Sequence, residues 1–155
     1  MVSYKQSKQN TYKEWYHTML KLIMGLKGSG KTKRLVDMVR DAVNEESGDV
    51  VVIEKERKLT FDIPYQARLI DAGDYDIGSY EFLKGIICGV HAGNYDITHF
   101  FIDNFYKLVN DKSPEALENF MNWLDKFTEQ EKISFVVSIS ADPESVPESV
   151  RARIL

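Results

Sequence analysis

Leu20-Lys21-Leu22-Ile23-Met24-Gly25-Leu26-Lys27-Gly28-Ser29-Gly30-Lys31-Thr32 joins an apolar run to a glycine-rich turn, and Leu35, Val36, Val39, Ala42 and Val43 then recur at helical spacing. Leu20 to Met24 reads as a strand, and the helix that follows ends at Ser47-Gly48. A strand that passes through such a turn straight into an amphipathic helix is the first half of a parallel α/β unit.

The same alternation continues along the chain. Val50 to Ile53 is a run of β-branched residues suited to burial on both faces of a parallel sheet, and the charged stretch 54–58 leaves it. Leu59, Phe61 and Ile63 alternate before Pro64, and Ala67 to Ile70 has the character of another short strand. An antiparallel addition from residues 59–71 is compatible with that pattern. Ser79 caps a helix whose stripe is Phe82, Leu83, Ile86, Ile87 and Val90, ending at Gly93. Phe100-Phe101-Ile102-Asp103 is a strand with a carboxylate at its end. Ser113-Pro114-Glu115 starts a helix by cap, first-turn proline and dipole-facing acid, with Leu117, Phe120, Met121, Leu124 and Phe127 as its buried stripe. Ile133 to Ile139 is the last strand, followed by a Pro-punctuated loop and the segment Pro147 to Leu155. The expected fold is α/β, a three-layer sandwich around a mostly parallel sheet of about five strands.

Composition narrows the class. The 155 residues are 43% hydrophobic and 28% charged, which excludes disordered, collagen-like and disulfide-stapled chains and fits one domain. A net charge of -4 without a long basic block disfavours sequence-independent nucleic-acid binding. No apolar run reaches the roughly 18 residues that span a bilayer, and the N-terminus lacks the apolar region of a signal peptide. The single Cys88, within Ile86-Ile87-Cys88, reads as core packing in a reducing compartment, so a cytoplasmic location is expected. Residues 1–18 are polar and without sustained periodicity, with Trp15 and Tyr16 as local docking points. The expected organisation is a polar tail over 1–18 and one nucleotide-binding domain over 19–155, starting at Met19.

Gly25-x-x-x-x-Gly30-Lys31-Thr32 carries the spacing of a phosphate-binding loop. A phosphate needs several converging backbone N–H groups, and Gly25, Gly28 and Gly30 permit the conformations and close approach this requires, with Leu26, Lys27 and Ser29 completing the loop. Lys31 would reach the β- and γ-phosphate oxygens as a point charge. The Thr32 hydroxyl suits Mg²⁺, a hard cation with a preference for oxygen ligands. The plainer alternative is a glycine-rich turn with incidental basic residues.

On these residues the chain resembles the P-loop NTPase superfamily over 19–140 in element order. The resemblance implies that Asp103, ending Phe100-Phe101-Ile102, is the Walker B carboxylate on the metal side. In the branch with an additional catalytic strand, the next residue is typically a glutamate that activates water; here it is Asn104. An amide orients water but accepts no proton at neutral pH, so weak or partner-stimulated ATP hydrolysis is expected. Glu54, Asp74 and Asp76 are conceivable substitutes, each read more simply as a solvated loop acid. The strand Phe135 to Ser140 ends in hydroxyls where this branch often places a γ-phosphate sensor, with Ser138 and Ser140 on one face.

Residues 141–153, ending in Arg151-Ala152-Arg153, are similar to the segment after the sensor strand in AAA+ clamp-loader ATPases. That similarity implies that Arg153, or secondarily Arg151, contacts nucleotide on a neighbouring subunit; the plainer reading is a terminal basic helix with solvated arginines. Short bacterial P-loop proteins of this appearance are also similar to twitching-motility and secretion ATPases, which implies a hexameric motor, although the chain shows no acid-box or histidine-box pair. His17, His91 and His99 have no ligand-like spacing for zinc. No Asn-Lys-x-Asp guanine-reading motif occurs, so ATP is favoured over GTP. The expected function is Mg-dependent ATP binding by a nucleotide-dependent switch or ATPase subunit, with a homo-oligomer or protein partner possible. The alternative is a small-molecule or nucleoside kinase with an acceptor pocket in 55–98 and charge supplied by Arg57, Lys58 and Arg68. A scaffold that keeps the loop only for stability is a third reading.

Overall fold

The computed structural model describes residues 19–56, 58–75 and 78–155. The readings made for the tail over 1–18, including Trp15, Tyr16 and His17, and for Arg57 and Asp76 lie outside the described residues.

The strands are β1 (Leu20–Gly25), β2 (Asp49–Glu54), β3 (Arg68–Asp71), β4 (Ile97–Ile102) and β5 (Ser134–Ser140). The helices are α1 (Lys31–Glu45), α2 (Tyr80–Gly93), α3 (Pro114–Glu131) and the single turn α4 (Glu148–Arg151). The sheet has the order β1-β5-β4-β2-β3, and every pairing is parallel.

All-parallel pairing follows from the sequence between strands: each connection is long enough to cross back over the sheet before the next strand begins. The stretch 59–71 departs from the expected antiparallel addition. Leu59, Ile63 and Ala67 are buried against the α1 side of the sheet, and only Arg68–Asp71 forms a strand, parallel to β2. Phe61, between Leu59 and Ile63, is exposed, so the three residues do not share one face as they would in a strand, and Leu59 and Ile63 are anchor points of a loop.

Strand parity divides the core. Leu20, Leu22, Val51, Ile53, Phe100, Ile102, Phe135, Val137 and Ile139 face α2 and α3, whereas Ile23, Val50, Val52, Phe101 and Val136 face α1. Residues with the parity of the second set, among them Glu54, Asp103, Ser138 and Ser140, therefore belong to the α1 face. This parity matters for function, because α1 starts at the glycine-rich turn and its N-terminus lies over the same face.

The helices form for the reasons their sequences give. α1 buries Leu35, Val36, Val39 and Ala42, and α3 buries Leu117, Phe120, Met121 and Leu124. Ser79 and Ser113 cap α2 and α3 by accepting hydrogen bonds from Phe82 N–H and Ala116 N–H. In α2 the buried positions are Leu83, Ile87 and His91, with Phe82 exposed. Cys88 is also exposed, contrary to the core-packing expectation. It follows Ile87 directly, and a 100° step per residue carries it off the buried stripe.

Among the described residues, no helix is long and apolar enough to cross a membrane.

Candidate functional site

At the carboxyl edge of the sheet, β1 ends at Gly25 and the chain turns through 26–30 into α1. Gly28 and Gly30 have φ of 86° and 80°, in the left-handed region that disfavours side chains, and a Cβ at either would meet nothing within 4 Å. Their requirement is therefore conformational, and the space beside them is open. At Gly25 the constraint is contact: a Cβ would lie 2.6 Å from Ser29 Oγ.

Lys31, 9% exposed, turns its Nζ back over this loop and donates to the Leu26 carbonyl at 2.8 Å and Ser29 Oγ at 3.3 Å. The ammonium thus sits above the turn with its charge balanced by oxygens that carry no formal charge. Such a cation is available to an incoming anion.

Thr32 is joined to Asp103 across the sheet. Its hydroxyl donates to the Asp103 carboxylate at 3.2 and 3.4 Å. Asp103 is only 4% exposed and directly follows β4, where its backbone N–H donates to the Ile53 carbonyl at 3.0 Å. The second support of this carboxylate comes from β5: the fully buried Ser138 donates through Oγ to Asp103 Oδ1 at 2.6 Å. Ser138 Oγ also accepts the Asn104 backbone N–H at 2.9 Å. Asn104 has φ of 53°, and its side-chain Oδ1 accepts from Ser140 Oγ at 3.3 Å. The turn after β4 is thereby fixed to the end of β5 at two points.

The loop beyond Asn104 is anchored from below. Phe105 is fully buried against Tyr80 and Phe120, the Tyr80 hydroxyl donates to the Asp111 carbonyl, and Asn110 N–H donates to the Gly78 carbonyl. Burial, reinforced by Tyr106 and Asp111 nearby, pushes the Tyr80 phenol up to about 12, so it remains a donor at any physiological pH.

Loop, α1 start, Asn104 and Ser140 enclose a cleft of about 530 Å³, with Tyr106, Lys58, Lys107 and Lys112 on its other side. Thr32 and Asp103 offer one hydroxyl and one carboxylate, oxygen donors of the kind a Mg²⁺ ion takes alongside waters and substrate phosphates. Among the described residues no group of three or more His, Cys, Asp or Glu forms a metal cluster.

Glu54 departs from its reading as a solvated loop acid. It is 3% exposed at the end of β2, where Oε1 accepts the Leu59 backbone N–H at 3.0 Å. Burial raises its carboxyl above the ordinary value, opposed by hydrogen bonds from the Leu59 and Lys58 backbone and assisted by the nearby Asp103 and Asp71 carboxylates. The signal was present in sequence, since Glu54 shares parity with Val50 and Val52. Asp74 is exposed, in a short 3-10 turn after β3.

Arg153 stands apart from this cluster. Its guanidinium is paired with Asp125 of α3 and donates to the Ser149 carbonyl, while Leu22 N–H donates to its carbonyl, tying the C-terminal segment to the outer edge of β1. Arg151 donates to the Pro143 and Val146 carbonyls. Within this chain both arginines are structural cross-links, and neither lines the cleft. Arg68 lies on β3 and lines a different groove, against α2.

The lysines 58, 107 and 112 were not singled out together by sequence reading. They follow β2 and β4, and only the strand order brings both loops to the same edge. Comparison of the chain with protein-family models finds no match, and comparison with curated proteins finds none.

Proposed function

We propose that this protein binds ATP with Mg²⁺ in the cleft between the 25–32 loop and the loop after β4, and acts as a nucleotide-dependent switch or ATPase subunit with weak or partner-stimulated hydrolysis. The observation that carries this reading is the hydrogen-bonded chain Thr32–Asp103–Ser138–Asn104, which links a phosphate-loop sequence to two neighbouring strand ends.

Open space beside Gly28 and Gly30 leaves backbone N–H groups accessible to phosphate oxygens at the N-terminus of α1. Lys31 exchanges its two neutral oxygen partners for phosphate oxygens, and Thr32 and Asp103 supply the oxygen ligands for the cation. Mg²⁺, when bound, neutralises phosphate charge and polarises the terminal phosphoryl. Ser138 holds Asp103 in place, and Asn104 and Ser140 face the cleft as hydrogen-bonding groups able to orient a water. Neither can take its proton, so turnover without a partner is expected to be slow. A switch follows from the same contacts: the turn after β4 and the end of β5 are joined through Ser140 and Asn104, so loss of a terminal phosphate changes what both hold.

The test is isothermal titration of Mg-ATP into wild type and Lys31→Ala, followed by single-turnover conversion of γ-labelled ATP with excess protein. Binding by wild type that falls at least about tenfold in Lys31→Ala is expected, the scale of losing a hydrogen bond to a charged group. Equal affinities would overturn the reading. Phosphate release specific to wild type makes the protein an intrinsic ATPase, whereas bound, intact ATP makes it a switch.

A further inference from the structure

The cleft is far more basic than the chain that forms it. The protein carries a net charge of -4, yet the cleft is lined by Lys27, Lys31, Lys33, Lys58, Lys107 and Lys112, and among the described residues no carboxylate lines it. Three of these lysines come from the loop and the start of α1. The other three face them from the segments after β2 and β4, where no phosphate-loop motif predicts them.

Lys58 and Lys107 are not independent. Both pair with the carboxylate of Glu56, which bridges the loop after β2 to the turn after β4. The two ammonium groups, Lys107 foremost, hold the Glu56 carboxyl down to about 2, so it is an anion throughout the working pH range. Glu56 itself lies in the adjoining cavity with Lys55, Gly73 and Asn110, while both of its lysines reach the cleft. Each ammonium has three N–H donors, so one paired with Glu56 retains others that can meet a ligand in the cleft it lines.

We propose that Lys58 and Lys107 are a second phosphoryl-recognition point of the cleft, selective for the terminal group of a nucleoside triphosphate, with Glu56 as the internal anion that the phosphoryl group displaces. This rests on the nucleotide reading above and adds the specificity that reading lacks. A diphosphate is held by the 25–32 loop alone. A third phosphoryl group, carrying up to two negative charges against one on Glu56, draws the two ammoniums forward and loosens the bridge between the β2 and β4 loops. Discrimination and loop response thus come from one exchange of ion pairs.

The experiment compares Mg-ADP with the Mg complex of the β,γ-imido analogue of ATP, titrated into the full chain as wild type, Lys58→Gln, Lys107→Gln and Glu56→Gln. Circular dichroism melts confirm that each variant is folded. Either lysine variant is expected to weaken the triphosphate about tenfold and ADP less than about twofold. Glu56→Gln, which removes the competing anion, is expected to tighten the triphosphate severalfold and leave ADP unchanged. Lysine variants that shift both nucleotides equally or not at all overturn the proposal, as does a Glu56→Gln variant that weakens the triphosphate. Inorganic tripolyphosphate and pyrophosphate titrated in parallel separate the two layers. A tripolyphosphate preference that depends on Lys58 and Lys107, in a protein that binds no ATP, refutes the nucleotide reading and supports the lysine assignment; no preference refutes the assignment alone.

Discussion

Ser138→Ala probes the centre of the site through stability. Ser138 is fully buried and its hydroxyl makes two hydrogen bonds, as donor to Asp103 Oδ1 at 2.6 Å and as acceptor from Asn104 N–H at 2.9 Å. Losing a hydrogen bond to a charged group costs about 1.5–3 kcal/mol, and leaving a buried N–H unpaired costs about 1–3 kcal/mol. Because one residue serves both, the two costs overlap, and a total of about 3 kcal/mol is expected. For a domain of this size that corresponds to a fall in Tm of about 6–12 °C. Since whole-domain stabilities run to about 5–15 kcal/mol, the variant should still fold at room temperature. Urea unfolding followed by circular dichroism measures the loss, with Ser140→Ala as the control. Ser140 is exposed and makes one longer contact, so its removal should stay within about 0.5 kcal/mol. A double-mutant cycle pairing Ser138→Ala with Asp103→Ala should return a coupling above about 1 kcal/mol. A Ser138→Ala protein that melts within about 1 °C of wild type would refute the inference that this hydroxyl positions the carboxylate.

Two further outcomes follow from the packing. Glu54 is buried with its carboxyl raised chiefly by desolvation, so the folded state holds its proton more tightly than the unfolded chain does. Its contribution therefore favours folding at acid pH and is lost as pH rises from the unfolded value near 4.5 through the raised folded value. Glu54→Gln, which keeps the acceptor for Leu59 N–H, should raise the urea midpoint at pH 7 and lose that advantage at pH 4; equal gains at both would count against burial as the cause. Asp125→Asn should destabilise by less than about 1 kcal/mol, since its pairing with Arg153 is partly exposed, and the difference should shrink in high salt. A salt-independent loss would mean the pair acts through packing.

Much of the architecture was legible because it depends on local pattern. Apolar runs at β1, β2, β4 and β5, the amphipathic helices α1, α2 and α3 between them, and caps at Ser79 and Ser113 are one-dimensional features that the folded chain reproduces. The short strand expected near 67–70 is present as β3, but an antiparallel addition is not: Leu59 and Ile63 anchor a loop against the α1 layer while Phe61 between them is exposed, which spacing alone does not distinguish from a strand face. Cys88 was misread because an apolar neighbourhood in sequence says nothing about which side of a helix a residue occupies.

The sequence by itself determined the parallel α/β character, the loop 25–32 and the strand-end carboxylate Asp103, since each is set by residue type and spacing within a few positions. Tertiary structure decided which of the remaining groups meet. The strand order places β5 between β1 and β4, which brings Ser138 onto Asp103 from far along the chain, and it carries Lys58 and Lys107 to one cleft with Glu56 between them. It also buries Glu54, an acid read as solvated, and within the chain it pairs Arg153 with Asp125. The physical reason is that burial and charge pairing depend on which strand ends become neighbours, and adjacency in a parallel sheet is fixed by the crossovers of the whole chain.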